Sequence, residues 1–219
     1  DSLTLYDFRS KLFAETGFMT TAISNGNFFG YPLLTSLSHT LIYLSSFTNP
    51  SFIYSFFYIS LVINFFVNLK KLKLKRILVL FMTFLVASSP RMFDHSLMAY
   101  TTLPYCTFII LGSIYLYFGI RRKDFGAYIV SAILIGLSTW TRTAEPFWLS
   151  CVVMAVISSV LIKKWLWPFI YTVLVGSIML LWRVFRSTYG GDSANVVGQV
   201  ISTSGYVIQN LQISVLKPT

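Results

Sequence analysis

The sequence predicts an all-α, polytopic transmembrane helical bundle with an external N-terminal loop containing a juxtamembrane amphipathic helix. Three observations carry that expectation. Apolar residues make up 55% of the chain and charged residues only 11%, with a mean hydropathy of +0.70, well above soluble domains. The apolar residues come in long uncharged runs, several of them near the 17 to 25 or so that a membrane helix needs. The cations, 17 Lys and Arg against 7 Asp and Glu, sit in short clusters between those runs, as cytoplasmic loops do. A nucleic-acid interface needs its cations spread along one face, so the pI near 9.7 does not imply a nucleic-acid partner.

In order along the chain, the expected spans are Ser51 to Leu69, a short Ile77 to Ser89, Leu103 to Gly119, Gly126 to Thr141, Pro146 to Ile162 and Trp165 to Phe185. "KKLKLKR" (Lys70 to Arg76), "RRK" (Arg121 to Lys123) and "KK" (Lys163, Lys164) carry ten of the 17 cations and fall at every second loop, which the positive-inside rule assigns to the cytoplasm. The opposite face then receives "SPRMFDHSLMAY" (Ser89 to Tyr100) as a loop, "TRTAEP" (Thr141 to Pro146) and everything after Phe185. The expected division is an external loop with an interfacial helix over 1–49, a bundle of about six helices over 50–186 and an external segment over 187–219.

"YPLLTSLSHTLIYLSSF", Tyr31 to Phe47, is long enough to span but carries Ser36, Ser38, His39, Thr40, Ser45 and Ser46. At 100° per residue Leu33, Leu34, Leu37, Leu41 and Leu44 share one face and most polar residues lie opposite. Such a helix prefers the interface. If it does not cross, Asp1 and Asp7 share the face of Asp94 and Glu145; if it crosses, they stand alone in the cytoplasm.

Cys106 and Cys151 each lie in an apolar run, where a thiol behaves as a small hydrophobe, so no disulfide framework is expected. Without an initiator Met or a signal-peptide pattern, the chain reads as a fragment of a longer polytopic protein.

Four stretches, in order, resemble the GT-C-fold glycosyltransferases that use polyprenyl-phosphate sugars, in the branch of protein mannosyltransferases and lipid A aminoarabinose transferases. "DSLTLYDFRSKLFAETG" is similar to the start of their first external loop, an Asp followed by an aromatic and a basic residue, here Tyr6 and Lys11. "GYPLL" is similar to the Tyr-Pro signature opening a juxtamembrane helix. "DHSLMAYTTLPYCTFIILGSIYLYFGIRRK" resembles the family's external stretch and following span, and "GLSTWTRTAEPFWL" its Thr-Arg then Glu junction between spans. Together they cover most of Asp1 to Leu149. Thr102 stands where relatives often carry an acid, and so does Gly30, departures that imply altered donor handling or a degenerate enzyme. The resemblance also implies that Tyr31 to Phe47 lies on the outer surface, and that a first span and a C-terminal portion flank this chain.

Sugar transfer from a polyprenyl phosphate needs a base for the acceptor hydroxyl and cations for the departing phosphate. The resemblance nominates Asp1 as that base; the alternative is a helix-starting Asp. Asp7 reads as solvated or ion-paired beside Arg9 and Lys11. Asp94, with His95, would supply a second acid or orient the acceptor, or both are interfacial loop residues. Arg142 and Glu145 form either an ion pair or, through Arg142, a phosphate clamp. Tyr6, Lys11 and Tyr31 take substrate-binding places by resemblance, and Arg91, Arg183 and Arg186 are weaker phosphate ligands that also suit helix-end anchoring. The external aromatics have two readings, sugar stacking and interface belts.

His39 and His95 are the only histidines and no metal-ligand spacing occurs, so no metal or other cofactor is expected; the alternative is a hard divalent cation on the scattered carboxylates Asp1, Asp94 and Glu145. The implied partners are a polyprenyl-phosphate sugar donor, a glycan, lipid or protein acceptor, and membrane lipids. The expected location is a prokaryotic plasma membrane with the active face extracytoplasmic. The rival reading, a transporter or flippase, would place charges near mid-membrane, whereas these spans are nearly free of charge.

Overall fold

The computed structural model describes residues 6–17, 32–142, 147–162 and 164–189. Among them the chain is helical with no strand, in nine helices: α1 (Phe8–Thr16), α2 (Leu34–Leu44), α3 (Phe52–Lys71), α4 (Arg76–Ala87), α5 (Pro90–Leu97), α6 (Thr102–Arg122), α7 (Phe125–Thr139), α8 (Phe147–Ile162) and α9 (Leu166–Tyr189).

Local chemistry explains the boundaries. Gly17 ends α1 at φ 69°, its N–H bonded to the Phe13 carbonyl, the left-handed cap that glycine adopts without steric cost. α3 and α6 end in Lys70, Lys71 and Arg121, Arg122, cations that complement the negative end of the helix dipole. Asp124 caps α7, accepting from the Ala127 N–H at 3.2 Å.

Among the described residues three helices are long and apolar enough to cross a membrane: Phe52–Lys71, Thr102–Arg122 and Leu166–Phe185. At 1.5 Å per residue, 20 residues reach about 30 Å, the depth of the hydrocarbon core. Of the six expected spans, these three reach full length, and α4 with α5 forms a fourth if the pair counts as one span bent by 53°. α7 and α8, at 15 and 16 residues, are shorter apolar helices. The expected loop Ser89 to Tyr100 is corrected as well, since Pro90–Leu97 is helical with Pro90 in its first turn, where proline's missing N–H costs nothing.

The bundle has two ends of different character. At one, Arg122 Nη2 donates to the Lys71 carbonyl at 3.3 Å, and Lys164 lies 4.3 Å over the Trp167 ring, itself against Phe125 and Tyr128. The described cations of all three basic clusters thus share this end. At the other, α1 and α2 pack on one another and on the ends of α7 and α9 through Phe13, Leu33, Trp140, Trp182 and Phe185. The Leu34 N–H donates to the Trp140 carbonyl at 3.2 Å.

Between the ends, α6 and α7 form the most extensive interface. Tyr128, Ala132 and Ile135 of α7 meet Leu116 of α6, Ala155 of α8, and Tyr171 and Val175 of α9 in one buried cluster. Ser131 ties α7 to α6 by donating to the Gly112 carbonyl at 2.7 Å. Outward-facing residues of α3, α4, α8 and α9 are apolar and exposed, Phe56, Ile77, Phe84, Met154 and Leu181 among them, the surface a lipid solvent requires.

α2 inverts the soluble-protein rule. Its polar residues Thr35, Ser36, His39 and Thr40 are buried, while Leu41 and Leu44 are 65% and 63% exposed.

Candidate functional site

Polar groups of α1 and α2 meet along their shared face. Ser10 Oγ donates to the Ser36 carbonyl at 2.8 Å, and Thr40 Oγ1 to the same carbonyl at 2.8 Å. Arg9 donates through Nε and Nη2 to Ser36 Oγ at 3.2 and 2.9 Å, and through Nη2 to the Pro32 carbonyl at 3.2 Å. Burial pulls the Arg9 guanidinium down to about 10, which leaves it charged at neutral pH. The sequence placed Arg9 beside Asp7; the structure turns it toward α2 instead.

Asp7 is the centre of this end. It is 7% exposed, so the expectation of a solvated carboxylate is corrected, while the expected pairing with Lys11 is present at 3.7 Å. Tyr43 Oη donates to Asp7 Oδ1 at 2.5 Å. Burial first, then the Asp7 hydrogen bond and charge, holds the Tyr43 phenol above its ordinary range, so it keeps its proton as donor. His39 Nδ1 lies 3.3 Å from Asp7 Oδ1, within ion-pair distance. On its other side His39 Nε2 is 2.8 Å from Tyr54 Oη of α3. Carboxylate, imidazole and phenol form a chain running from Asp7 into the bundle.

His39 is fully buried. Burial lowers its pKa below 6.5, and this outweighs the upward pull of Asp7, so the ring is neutral at pH 7. The sign of the linkage follows: as pH falls through about 6.5, the unfolded chain takes up a proton that the folded one refuses, and stability drops by up to about 1.4 kcal/mol per pH unit. Thermal midpoints in detergent are expected to fall between pH 7.5 and 5.5, and to fall less in His39→Gln. An equal fall in both proteins would remove His39 as the cause.

Two cavities open beside this cluster and share Lys11 and Thr48. The larger, about 860 Å³, is walled by Asp7, Lys11, Asn49 and Ser51 on one side and by His95 and Tyr100 on the other. The smaller, about 590 Å³, runs past Glu15, Tyr43 and Phe47. Lys11 is 57% exposed at its side chain, with its ammonium 5.6 Å over the Tyr43 ring. His95 stacks on Tyr100, centroids 6.0 Å apart, and its buried Nδ1 has no hydrogen-bond partner among the described residues.

Of the residues singled out by sequence, Lys11 and His95 come together in the larger cavity. Tyr6 is buried at 3% exposure, under the Arg9 guanidinium, and lines neither cavity. Asp94 is exposed on α5 and also lies outside both walls. Arg142, half-buried after α7, donates its N–H to the Ser138 carbonyl at 3.2 Å and lines neither. Asp1, Tyr31 and Glu145 lie outside the described residues. Among the described residues no group of three His, Cys, Asp or Glu could hold a metal ion.

Sequence reasoning missed His39, Tyr43 and Tyr54. One signal was available: Ser36, His39, Thr40 and Tyr43 follow an i, i+3, i+4, i+7 pattern, which puts them on a single helix face.

Compared with known proteins, the chain matches no family model, no curated protein and no solved structure.

Proposed function

We propose that the chain is a membrane glycosyltransferase that moves a sugar from a polyprenyl-phosphate donor to a glycan, lipid or protein acceptor. The supporting observation is the cavity of about 860 Å³ that joins Asp7, Lys11 and His95 at the end of an apolar bundle, away from the basic clusters. A lipid-borne donor fits such a place, its head in a polar chamber and its tail beside exposed apolar helices. In this reading the chamber faces the extracytoplasmic side of a prokaryotic plasma membrane, and α2, at 11 residues too short to cross, is the juxtamembrane helix.

The reaction forms a bond between the acceptor oxygen and the anomeric carbon and breaks the bond from that carbon to the phosphate oxygen. The acceptor proton passes to a carboxylate base, and polyprenyl phosphate leaves with the electron pair. Asp1 is the proposed base. Asp7, held by Tyr43 and facing Lys11, suits a different role, fixing the Lys11 ammonium where the phosphate charge develops. His95, with Asp94 just before it in the chain, is placed to orient the acceptor, and Arg142 with Glu145 is a second proposed phosphate contact.

The test is transfer of labelled hexose or pentose from polyprenyl phosphate by the protein in proteoliposomes. Lys11→Gln is expected to raise KM for the donor more than it lowers kcat, and Lys11→Arg to restore donor binding in part. Label that crosses the vesicle membrane without any sugar changing its partner would overturn the enzyme and favour a transporter.

A further inference from the structure

We infer that the cleft between α3 and α6 at the cationic end is a binding site for an anionic phospholipid, with an acyl chain in the cleft and the headgroup phosphate on Lys71 and Arg122. This site lies at the opposite end from the proposed transfer chemistry and does not rest on it.

The cleft is a cavity of about 230 Å³ lined by Phe65, Leu69, Leu72, Ile114, Tyr117 and Phe118, with Asn68 and Ser113 as its polar members. Two like charges lie beside one of its walls, Phe118. Lys71 Nζ and the Arg122 guanidinium lie 5.7 and 4.7 Å from the same ring, Phe118. Arg122 is drawn there by its hydrogen bond to the Lys71 carbonyl, and Lys71 by Asn68 Oδ1 at 3.1 Å. Asn68 is itself buried and anchored, donating to the Asn64 carbonyl at 2.8 Å. Arg121 is fixed in turn on Tyr117 Oη at 2.5 Å.

Two cations sharing one ring repel each other, and low dielectric beside the bilayer strengthens the repulsion. Among the described residues no carboxylate lies within ion-pair distance of either cation: both ion pairs belong to Asp7 at the far end, and Asp124 turns an oxygen to the Ala127 N–H as the α7 cap. A phosphate placed between Lys71 and Arg122 supplies the missing charge, and side chains already pinned lose little entropy in holding it. The apolar cleft immediately beside them selects a phosphate that carries a chain. Zwitterionic lipids bring an ammonium that the neighbouring Lys70 and Arg121 repel, so the charge pattern favours anionic headgroups.

The experiment compares the protein in nanodiscs of phosphatidylcholine with and without phosphatidylglycerol, and counts phosphatidylglycerol retained by native mass spectrometry. Lys71→Gln with Arg122→Gln is expected to reduce retention roughly 25-fold, about fivefold for each cation removed. Lys73→Gln with Lys75→Gln removes equal charge from the adjoining turn and is expected to leave retention unchanged. Ile114→Trp fills the cleft with every charge in place and is expected to lose the lipid. Thermal midpoints in pure phosphatidylcholine establish that each variant is folded. Equal losses in the two double variants, or undiminished retention in Ile114→Trp, would overturn the site. So would inorganic phosphate alone raising the midpoint as much as phosphatidylglycerol does.

Discussion

Asp1→Asn is expected to lower sugar transfer by a factor of about 10² to 10⁴, the usual contribution of a positioned general base, with the fold and donor KM little changed. The substitution keeps the size of the side chain and removes the negative charge with which the proposed base would take the acceptor proton. Asp7→Asn gives the contrasting profile. Its carboxylate receives Tyr43 and faces both Lys11 and His39, so neutralising it frees Lys11 and weakens the α1–α2 contact, and donor KM is expected to rise along with a loss of thermal stability. Steady-state kinetics on both variants separates the roles. Full activity in Asp1→Asn together with a pure kcat loss in Asp7→Asn would transfer the base to Asp7.

Gly119→Leu is expected to have the largest effect on stability. A Cβ at Gly119 would stand 3.0 Å from the Tyr128 nitrogen and 3.1 Å from its Cα, and backbone cannot rotate aside as a side-chain tip can. α6 and α7 would have to separate, and Tyr128 would be drawn away from Tyr171, 5.0 Å between centroids, and from the Ala155 carbonyl, 3.2 Å from its hydroxyl. Overpacking of this kind costs roughly 1 to 3 kcal/mol for small additions, and close backbone approach at small residues is a main source of helix association in lipid. Gly176→Ala serves as the control, since nothing lies within 4 Å of its added Cβ, and a gain of about 0.5 to 1 kcal/mol is expected from helix propensity. Equal thermal midpoints for Gly119→Leu and wild type would show that the two helices are not held by this contact.

The sequence carried the long helices well because their signal is local. Leu103 to Gly119 and Trp165 to Phe185 differ from α6 and the spanning part of α9 by a few residues at the ends, as uncharged runs flanked by Lys and Arg would have it. The gathering of the basic clusters at one end was equally legible, because alternation of loops fixes it. α5 was not read, although Ser89 followed by Pro90 is a helix-start signal; the charges Arg91 and Asp94 drew that stretch toward loop. The polar cluster was hidden for a different reason. Periodicity told that α2 has two faces but not which one turns inward, and in a lipid setting the leucines of α2 have no need of the protein core. Asp7 and Tyr54 are separated by 47 positions in the chain, and only packing of α2 on α3 brings His39 between them. Local reading of Asp7 with Lys11 found their i, i+4 pairing and missed the burial.

α3 carries Tyr54 near its first turn and Asn68 near its last. Hydrogen bonds from each residue to the one four places back make such a helix stiff along its axis, so it acts as a spacer between the two ends of the bundle. The cationic cleft lined by Asn68 and the buried His39 imidazole bonded to Tyr54 are therefore set at a fixed distance from one another by one helix.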